Sequence, residues 1–488
     1  MPVIPGECLR DESLYSGRCD AYRGVSSADE LGALLDGDLP VTVQGARTGI
    51  AGAAVPEGGC VCDMGAFAGI EALGESGGRF FIDALAGTTL GDLIAATEKG
   101  GRFAGYFFAP DPTERGATLG GLCATNAGGP SSLLYGRMAD HVAEAALRLA
   151  DGRSLTLKRG DCVFGGDGSV ALPWGEGFRL PFPESPPRIA GMDIGEGSDL
   201  LDVFMGSEGM LGIFERLRLG LIKRPAASWG LAFFFGDGEM SGAFADAVAD
   251  RARGWEGGAL SALEYLDRSS LTLYSGHRSQ SSALRAAPEP PQGLCAVMAG
   301  LIADSDARAY ELLEEMLKIA GEFGCGDEDS WAVNDAVGKE RLRLLRHGVP
   351  EAVNARVSLN RRGLGAVVKL AADITLPSLS RAEALSEIHR LLDSGGIAHA
   401  VFGHVGGKGL HINLLPEDEA QLERAGGLYG ALMEMALSSG GLIAAENGVG
   451  KLKRGLLKRY LAKDRLEGMA SLKQRFDPRG RLNPGNMT

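Results

Sequence analysis

Clusters of glycine between short apolar runs constrain this chain more than any other feature of its sequence. Glycine accounts for 74 of the 488 residues and follows no collagen-like period. Clusters such as GARTGIAGAAVP (45–56) and GGLCATNAGGP (120–130) separate the apolar runs. Because glycine adopts turn conformations and lets other groups approach the backbone closely, the pattern predicts many tight turns and a ligand lying against the main chain.

The length of the chain predicts two domains, because one hydrophobic core rarely extends over 488 residues. The net charge of −14 argues against a nucleic-acid partner, since there is no basic field to release counterions from a phosphate backbone. No apolar stretch is long enough to span a membrane, and the amino terminus lacks the layout of a secretory signal. We therefore expect no transmembrane segment and a cytoplasmic protein, with a peripheral position on the inner membrane face as the alternative.

Local patterns predict alternating helices and strands and two boundaries. Ser27 caps a helical pattern over 27–36, and alternation over 80–86 predicts a strand followed by a helix capped near Thr89. The pattern changes around 223–228, and motif-dense sequence returns in the last third. We expect an inserted cap domain, with these segments: 1–222, first domain; 223–430, cap or substrate domain; 431–488, carboxy-terminal segment that completes the first domain's site.

The loop over residues 45–56 follows a predicted strand, and such a loop can cradle phosphate. Missing side chains let backbone N–H groups converge on an anion. The glycine spacing does not fit the dinucleotide fingerprint of the doubly wound fold, and a structural turn is an equal alternative. Cys60 and Cys62, the only close cysteine pair, alternate along a predicted strand and are interpreted as buried thiols.

Two of the seven histidines, His404 and His411, flank a glycine turn, so two strands can bring both imidazoles to one face. Glu446 follows another apolar run, GGLIAAE. Two imidazoles and a carboxylate form a standard ligand set for zinc, manganese or iron. The sequence therefore predicts a divalent metal site, with ordinary core or surface histidines as the alternative.

Four sets of segments resemble the FAD-dependent oxidoreductases of the vanillyl-alcohol oxidase superfamily, most closely the branch of D-lactate dehydrogenase and the FAD subunit of glycolate oxidase. In chain order they are GARTGIAGAAVP; PDPTERGATLGGLCATNAGGP with YGRMADHV; GSEGMLGI; and HVGGKGLHINLL, AAENGVGKLKR and FDPRGRLNPGNM. The resemblance covers most of the chain. It implies an α+β fold, with a PCMH-type FAD-binding domain of two α+β subdomains and an α+β cap domain that carries an antiparallel sheet.

Carried over residue by residue, the resemblance assigns contacts with FAD. Gly45, Thr48, Gly49 and Gly52 would cradle the pyrophosphate; Pro110, Thr118, Gly121, Thr125, Asn126 and Gly128 would lie along the ribityl chain and flavin; Glu208, Gly209 and Ile213 would flank the adenosine end; and Asn483 would lie near the flavin. Arg47 and Ala53 stand where the family usually has glycine. The loop contains no histidine or cysteine that could anchor FAD, so we expect non-covalent FAD.

The resemblance also implies a substrate site. His404, His411 and Glu446 would hold a metal beside a small carboxylate substrate, which Arg346 and Lys369 would bind. Structural ion pairs of these two cations, with Glu351 or Asp373, are the alternative.

At Asn447 the chain departs from the family's hydroxy-acid dehydrogenases, which carry a catalytic histidine there. In those relatives the histidine is the general base that removes the hydroxyl proton. An amide cannot accept that proton. Either the metal lowers the pKa of the hydroxyl, or Glu446, His404 or His411 acts as base in the absence of a metal, or His347 acts as base, or the substrate differs.

The function implied by the resemblance is an FAD-dependent, metal-assisted dehydrogenase that oxidises a small D-2-hydroxy acid to the 2-oxo acid. No nicotinamide-binding pattern and no iron–sulfur cysteine cluster occurs in the sequence. The electron acceptor would therefore be a separate iron–sulfur subunit, an electron-transferring flavoprotein or a quinone, and a homodimer is an open expectation. The alternatives are an oxidase of another alcohol, sugar acid or amine, and a catalytically reduced flavin-binding subunit of a larger electron-transfer complex.

Overall fold

The computed structural model describes residues 4–99, 101–364 and 369–487, and the chain divides into two compact units. Unit 1 consists of Met1–Gly128, Gly136–Arg224 and Glu446–Thr488. Unit 2 consists of Gly129–Tyr135 and Pro225–Ala445. None of the described helices is both long enough and apolar enough to cross a membrane.

The divisions between the units differ in part from the boundaries expected from sequence. The first, after Arg224, lies two residues beyond the expected 222/223. The second follows Ala445 and not residue 430, because a helix over Glu419–Ser438 runs through residue 430 without interruption. Ala444 then forms a bridge with Asp373 of unit 2, so residues 431–445 stay with that unit.

The first 224 residues contain many short elements. In chain order they are β1 (Ala21–Gly24), α1 (Ala28–Leu35), β2 (Val41–Gln44), β3 (Cys60–Asp63), β4 (Ile70–Ser76), β5 (Arg79–Leu85), α2 (Leu90–Glu98), β6 (Tyr106–Phe107), α3 (Leu119–Thr125), α4 (Ser132–Tyr135, part of unit 2), α5 (Met138–His141), β7 (Val142–Arg148), β8 (Ser154–Lys158), β9 (Ser169–Ala171), β10 (Gly177–Arg179), α6 (Leu200–Phe204), β11 (Ile213–Gly220) and β12 (Ile222–Lys223). Short 3-10 helices lie at Gly6–Leu9 and Gly101–Phe103.

The remaining elements belong to unit 2 as far as Ala445 and then to unit 1. They are β13 (Ala227–Phe235), α7 (Gly238–Ala252), β14 (Gly258–Leu266), α8 (Arg268–Arg278), β15 (Cys295–Ala303), α9 (Asp306–Glu322), β16 (Ser330–Val333), α10 (Ala336–Leu364), β17 (Leu370–Thr375), α11 (Arg381–Gly395), β18 (His399–Gly403), β19 (Gly409–Leu414), α12 (Glu419–Ser438), α13 (Arg454–Tyr460) and α14 (Lys463–Phe476). Two 3-10 helices lie at Asp327–Asp329 and Val405–Gly407.

Helix starts follow the capping residues that the sequence indicates. The side chain of Ser27 accepts a hydrogen bond from the N–H of Glu30 at the start of α1, and Thr89 accepts one from Asp92 at the start of α2. These bonds satisfy backbone donors that have no partner within the first turn. Both predicted helix starts are confirmed.

The two larger sheets of unit 1 fit the expected pair of α+β subdomains. One is parallel with strand order β1-β3-β2, and the other is antiparallel with order β4-β5-β11-β7-β8. Cys60 and Cys62 of β3 are buried and unbridged, as predicted. At the carboxy-terminal end of the chain, Leu482 pairs with Val41 beside the parallel sheet. The last segment thus returns to the first subdomain and contributes to its core.

Unit 2 is built on one seven-stranded sheet of order β16-β13-β15-β14-β18-β19-β17. Every pair of neighbours in this sheet is antiparallel, which confirms the sheet expected for the cap domain. Helices α7, α9 and α11 pack in this unit, and apolar residues of the central strands, such as Phe233 and Leu263, are almost fully buried. Two strands of this sheet carry polar side chains of the candidate site, Glu264 in β14 and His411 in β19.

Candidate functional site

The loop after β2 combines one closely packed glycine with one open glycine. A Cβ atom at Gly45 would lie 2.0 Å from Oγ1 of Thr118, so only glycine fits there. At Gly49 an added Cβ would meet nothing within 4 Å among the described residues, and Gly52 has a φ of +74°. Strand β3 follows the loop, and no helix forms between Gly45 and Cys60. The exposed backbone around Thr48 and Gly49 fits the approach of a phosphate group.

Arg47 adopts the left-handed conformation, with a φ of +60°. Its Nη1 lies 3.4 Å from Oδ2 of Asp63 and 3.5 Å from the carbonyl oxygen of Gly45, so the guanidinium is turned toward the protein. A left-handed backbone costs an L-residue roughly 1–2 kcal/mol that glycine avoids. This conformation explains in physical terms why glycine suits the position.

Arg47→Gly is expected to have a free energy of unfolding about 1 kcal/mol higher than Arg47→Ala. Both variants remove the contact with Asp63, so their difference isolates the backbone conformation. Urea unfolding of the two proteins measures it. Arg251, on the exposed face of α7, is the matched control, and there alanine should exceed glycine by about 1 kcal/mol. The same ranking at both sites would contradict a left-handed Arg47.

The segment assigned to the flavin is shaped by its own side chains. Thr118 accepts a hydrogen bond from the N–H of Gly121 at the start of α3, and the hydroxyl of Thr125 donates to the carbonyl of Gly121. Asn126 ends the helix with a φ of 47°, and its Oδ1 accepts from the N–H of Ala139. These bonds fix the backbone conformation. Among the residues that the resemblance assigns to the flavin, Gly121 is exposed, whereas Pro110 and Gly128 are buried.

Glu208 and Asn483 join three segments of unit 1. The buried Glu208 carboxylate accepts hydrogen bonds from the N–H groups of Val449 (2.5 Å) and Gly450 (2.9 Å). Burial raises the pKa of Glu208, although these bonds oppose the rise. Nδ2 of Asn483 donates to the backbone oxygen of Glu208 at 2.6 Å, and a Cβ at Gly209 would collide with that amide. The side chain of Glu208 holds the loop at Val449 and Gly450. The side chain of Asn483 contacts both Glu208 and β2. Ile213, assigned with Glu208 and Gly209, is the buried first residue of β11.

In unit 2 the glycine turn between β18 and β19 brings the two predicted histidines together. His404 follows β18 directly, and His411 lies in β19. Lys408 takes the left-handed conformation at the turn, with a φ of 59°. The two ring centroids are 5.4 Å apart and the rings are nearly perpendicular.

Each imidazole lies beside a buried carboxylate. Nδ1 of His404 lies 2.5 Å from Oε1 of Glu264 in a hydrogen bond, and Nδ1 of His411 lies 3.3 Å from Oδ1 of Asp373. Because an ionised carboxylate only accepts hydrogen bonds, Nδ1 of His404 carries the proton and its neutral ring has the lone pair on Nε2. Metal-binding histidines are usually oriented by such a hydrogen bond.

Glu264 also binds Arg346. Oε2 of Glu264 accepts a hydrogen bond of 2.6 Å from Nε of Arg346, and both side chains are almost fully buried. Burial raises the pKa of Glu264, but His404 and Arg346 outweigh it and lower the pKa to about 2. One carboxylate thus fixes both an imidazole and a guanidinium. Nη1 of Arg346 is buried and has no hydrogen-bond partner among the described residues.

Arg346 forms a structural ion pair, the alternative that the sequence offered, and its partner is Glu264. Glu351 pairs with His277 at 3.1 Å, and Asp373 lies beside His411. Nζ of Lys369 donates to Oδ1 of Asn354 at 2.8 Å. Sequence reasoning missed Glu264; the available signal was a single acidic residue within the apolar strand GALSALEYL.

Glu446 and Asn447 begin the last segment of unit 1. The N–H of Ala445, at the end of unit 2, donates to the backbone oxygen of Asp373 at 3.1 Å, and Glu446 is the next residue. Oε1 of Glu446 lies 3.9 Å from Nη2 of Arg137. Asn447 is half-buried, as is His347 of α10, one of the residues named as a possible base.

Two family models match the chain. The model described as "FAD linked oxidases, C-terminal domain" matches residues 241–487, and the model described as "FAD binding domain" matches residues 27–158. The first match alone covers more than half of the chain.

Curated relatives match almost the whole chain. A D-lactate dehydrogenase of Anaerostipes hadrus is 27% identical over 95% of this chain and 88% of its own length. The glycolate oxidase subunit GlcD of Bacillus subtilis is 26% identical over 97% of this chain and 90% of its length, and that of Escherichia coli K12 is 28% identical over 92% and 78%. Among solved structures, an alkyldihydroxyacetonephosphate synthase is 15% identical with a TM-score of 0.60, covering 95% of this chain and 75% of that one. The last likeness concerns the fold alone.

Proposed function

The chain belongs to the family of FAD-linked oxidases, and from that premise we propose that it is a metal-assisted dehydrogenase of a small D-2-hydroxy acid. The product is the 2-oxo acid, and the electrons pass to a separate protein or quinone. The names of the curated relatives, D-lactate dehydrogenase and glycolate oxidase subunit, support this substrate class.

The observation that carries the proposal is the buried cation Arg346. Glu264 holds its Nε, while Nη1 is buried without a partner among the described residues. Leaving a buried charged donor unpaired costs free energy, so the group favours a ligand with an acceptor. A carboxylate suits a guanidinium in both charge and geometry. A 2-hydroxy acid supplies this carboxylate next to the carbon that is oxidised.

The candidate ligands, two imidazoles and a carboxylate, have the chemistry that a divalent metal requires, and such a metal would assist the proposed reaction. His404, His411 and Glu446 would hold zinc, manganese or iron, which would polarise the substrate hydroxyl. Glu264 orients the imidazole of His404 for this role, and Asp373 lies beside that of His411. Asn447 can hydrogen-bond the substrate, but it cannot remove its proton.

FAD supplies a two-electron acceptor when it is bound. The open backbone at Gly49 fits its phosphates, and the hydrogen bonds of Thr118, Thr125 and Asn126 hold the glycine-rich segment in place. Their role is to shape a surface against which a large flat group can lie. We propose that FAD binds here without a covalent bond.

Anaerobic mixing of the FAD-loaded protein with D-2-hydroxy acids tests the proposed reaction. The yellow absorbance of oxidised flavin should bleach with one or more of the D-acids. It should persist with the corresponding alcohols that lack the carboxylate, because these leave Arg346 unpaired. It should also persist with the L-enantiomers, because binding their carboxylate in the same way exchanges the positions of the hydroxyl group and the hydrogen on the carbon that is oxidised. If no member of the panel bleaches the flavin, the hydroxy-acid proposal fails. Asn447 would then favour the second candidate, a flavin-binding subunit with reduced catalysis.

Acid precipitation tests the mode of FAD binding. Precipitation unfolds the protein and should release the yellow chromophore into the supernatant, since the loop 45–56 offers no histidine or cysteine for attachment. Cys123, which lies within the segment assigned to the flavin, is fully buried, and burial raises the pKa of its thiol, which disfavours the reactive thiolate. A yellow pellet after repeated washing would contradict non-covalent binding.

A further inference from the structure

A second group of ligand-type side chains lies within unit 2 and includes neither His404 nor His411. It consists of Asp267, His389 and His399, each of which offers one ligand atom, and these atoms lie within 4.8 Å of one another. Asp267 lies between β14 and α8, His389 lies in α11, and His399 begins β18. The start of α8 and the consecutive elements α11 and β18 therefore converge on one point.

Asp267 contributes a carboxylate oxygen that the described protein leaves unsatisfied. The residue is 1% exposed, and its Oδ1 accepts a hydrogen bond of 2.7 Å from the N–H of Ser270. Its Oδ2 is buried and has no hydrogen-bond partner within the described part of the chain. A buried anionic oxygen of this kind requires a cation or a proton donor.

His399 has its tautomer fixed by the backbone. Its Nδ1 lies 3.0 Å from the carbonyl oxygen of Ile397, which can only accept, so Nδ1 carries the proton. In the neutral ring the lone pair is therefore on Nε2. This Nε2 lies 3.9 Å from Oδ1 of Asp393, a largely exposed carboxylate on α11.

His389 has one ring nitrogen in contact with a neighbouring hydroxyl group. The hydroxyl of Tyr265 lies 3.0 Å from Nε2 of His389 and 3.5 Å from Sγ of Cys295. Because Nε2 faces Tyr265, Nδ1 is the ring nitrogen that remains available to a metal ion. Burial lowers the pKa of His389, although the charge of Asp267 opposes this.

We propose that Asp267, His389 and His399 bind a divalent transition-metal ion of the zinc class, with Asp393 as a fourth ligand on the exposed side. Two imidazole nitrogens and a buried carboxylate oxygen meet here, and one dication can bind all three. Zinc accepts two nitrogen and two oxygen ligands at about 2.0–2.2 Å, which puts tetrahedral ligand atoms roughly 3.3–3.6 Å apart. The three ligand atoms of Asp267, His389 and His399 would have to move closer together than the present limit of 4.8 Å.

Four protein ligands would make this a structural site and not a catalytic one, because no position remains open for a substrate. The ion would tie the end of β14 to α11 and to the start of β18. Its binding energy would stabilise the fold of unit 2. This site is independent of the hydroxy-acid proposal and of the metal proposed at His404.

Zinc stoichiometry of the full-length, FAD-loaded protein tests the site. The protein is stripped with a chelator, exposed to Zn²⁺, freed of excess ion and assayed for bound zinc. Asp267→Asn should lose about one zinc per chain, or bind it about 100-fold more weakly or worse, because the anionic ligand is gone. Asparagine still caps α8, so helix stability is retained. His399→Asn should lose the same equivalent.

Two controls separate this ion from other zinc. Asp418→Asn makes the same change at the cap of α12 and should lose no zinc. His411→Asn should keep the equivalent that Asp267→Asn loses. Equal zinc content in the parent protein and Asp267→Asn would overturn the proposal.

If the Asp267 variant does not fold, crystals of the unmodified protein soaked in Zn²⁺ decide the question. Anomalous density at the zinc absorption edge between Asp267, His389 and His399 supports the proposal. Absence of density there overturns it.

Discussion

Glu264→Gln is expected to lower the free energy of unfolding by about 3–5 kcal/mol, the usual cost of breaking a buried ion pair from one side. The substitution keeps the size of the side chain and removes its charge. Arg346 would then be a buried cation without a counter-charge, since its side chain is 7% exposed and that of Glu264 is 4% exposed. His404 would also lose the acceptor that orients its ring. Urea unfolding measures the loss.

Two further variants show whether the uncompensated charge is the cause. The double variant Glu264→Gln/Arg346→Met should recover much of the lost stability, because it removes the unpaired cation. Glu340→Gln breaks the exposed pair with Arg343 on α10 and should cost less than about 1 kcal/mol. Equal losses of unfolding free energy in Glu264→Gln and Glu340→Gln would show that the buried ion pair stabilises the protein no more than an exposed one.

Asn447→His is expected to raise the turnover of D-2-hydroxy acids by about 10²–10⁴-fold, the usual contribution of a general base. The family's hydroxy-acid dehydrogenases carry histidine here, and the amide of this chain cannot take a proton. A neutral imidazole is the active form, so the rate should rise with pH and level off above the pKa of the new histidine. That pKa is about 6.5 without perturbation, and a nearby metal cation lowers it.

Asn447→Gln is the control, because it retains an amide and adds no base. It should show neither the rate increase nor the new ionisation. Turnover and its pH profile are measured on proteins shown to contain FAD. An unchanged rate in an Asn447→His protein that still binds FAD would mean that the pocket is built for another substrate, while the FAD-linked family assignment stands.

Local signals account for the parts of the fold that the sequence predicted. The caps at Ser27 and Thr89 act within one helical turn, and the turn between His404 and His411 is confined to eight residues. Such features depend on neighbours in the chain and can be recognised without a structure. The antiparallel cap sheet was expected only because motifs along most of the chain resemble one family.

Contacts between distant residues account for what the sequence could not reveal. Glu264 reaches His404 across 140 positions, and no periodic pattern connects them. The end of the cap unit at Ala445 depends on the pairing of Ala444 with Asp373, which is equally non-local. The cluster of Asp267, His389 and His399 could not be predicted from the sequence either, because no local motif surrounds any of these three residues.

The return of the carboxy-terminal segment to β2 sets the order in which the protein can fold during synthesis. Leu482 pairs with Val41, and the loop at Val449 and Gly450 supplies the N–H groups that satisfy Glu208. Unit 1 therefore lacks these contacts while the ribosome makes the entire cap unit, which ends at Ala445. Domains generally fold as units, so the cap unit can mature first. The unit that begins the chain is then the last to be finished, and until that moment it is the part exposed to chaperones and proteases.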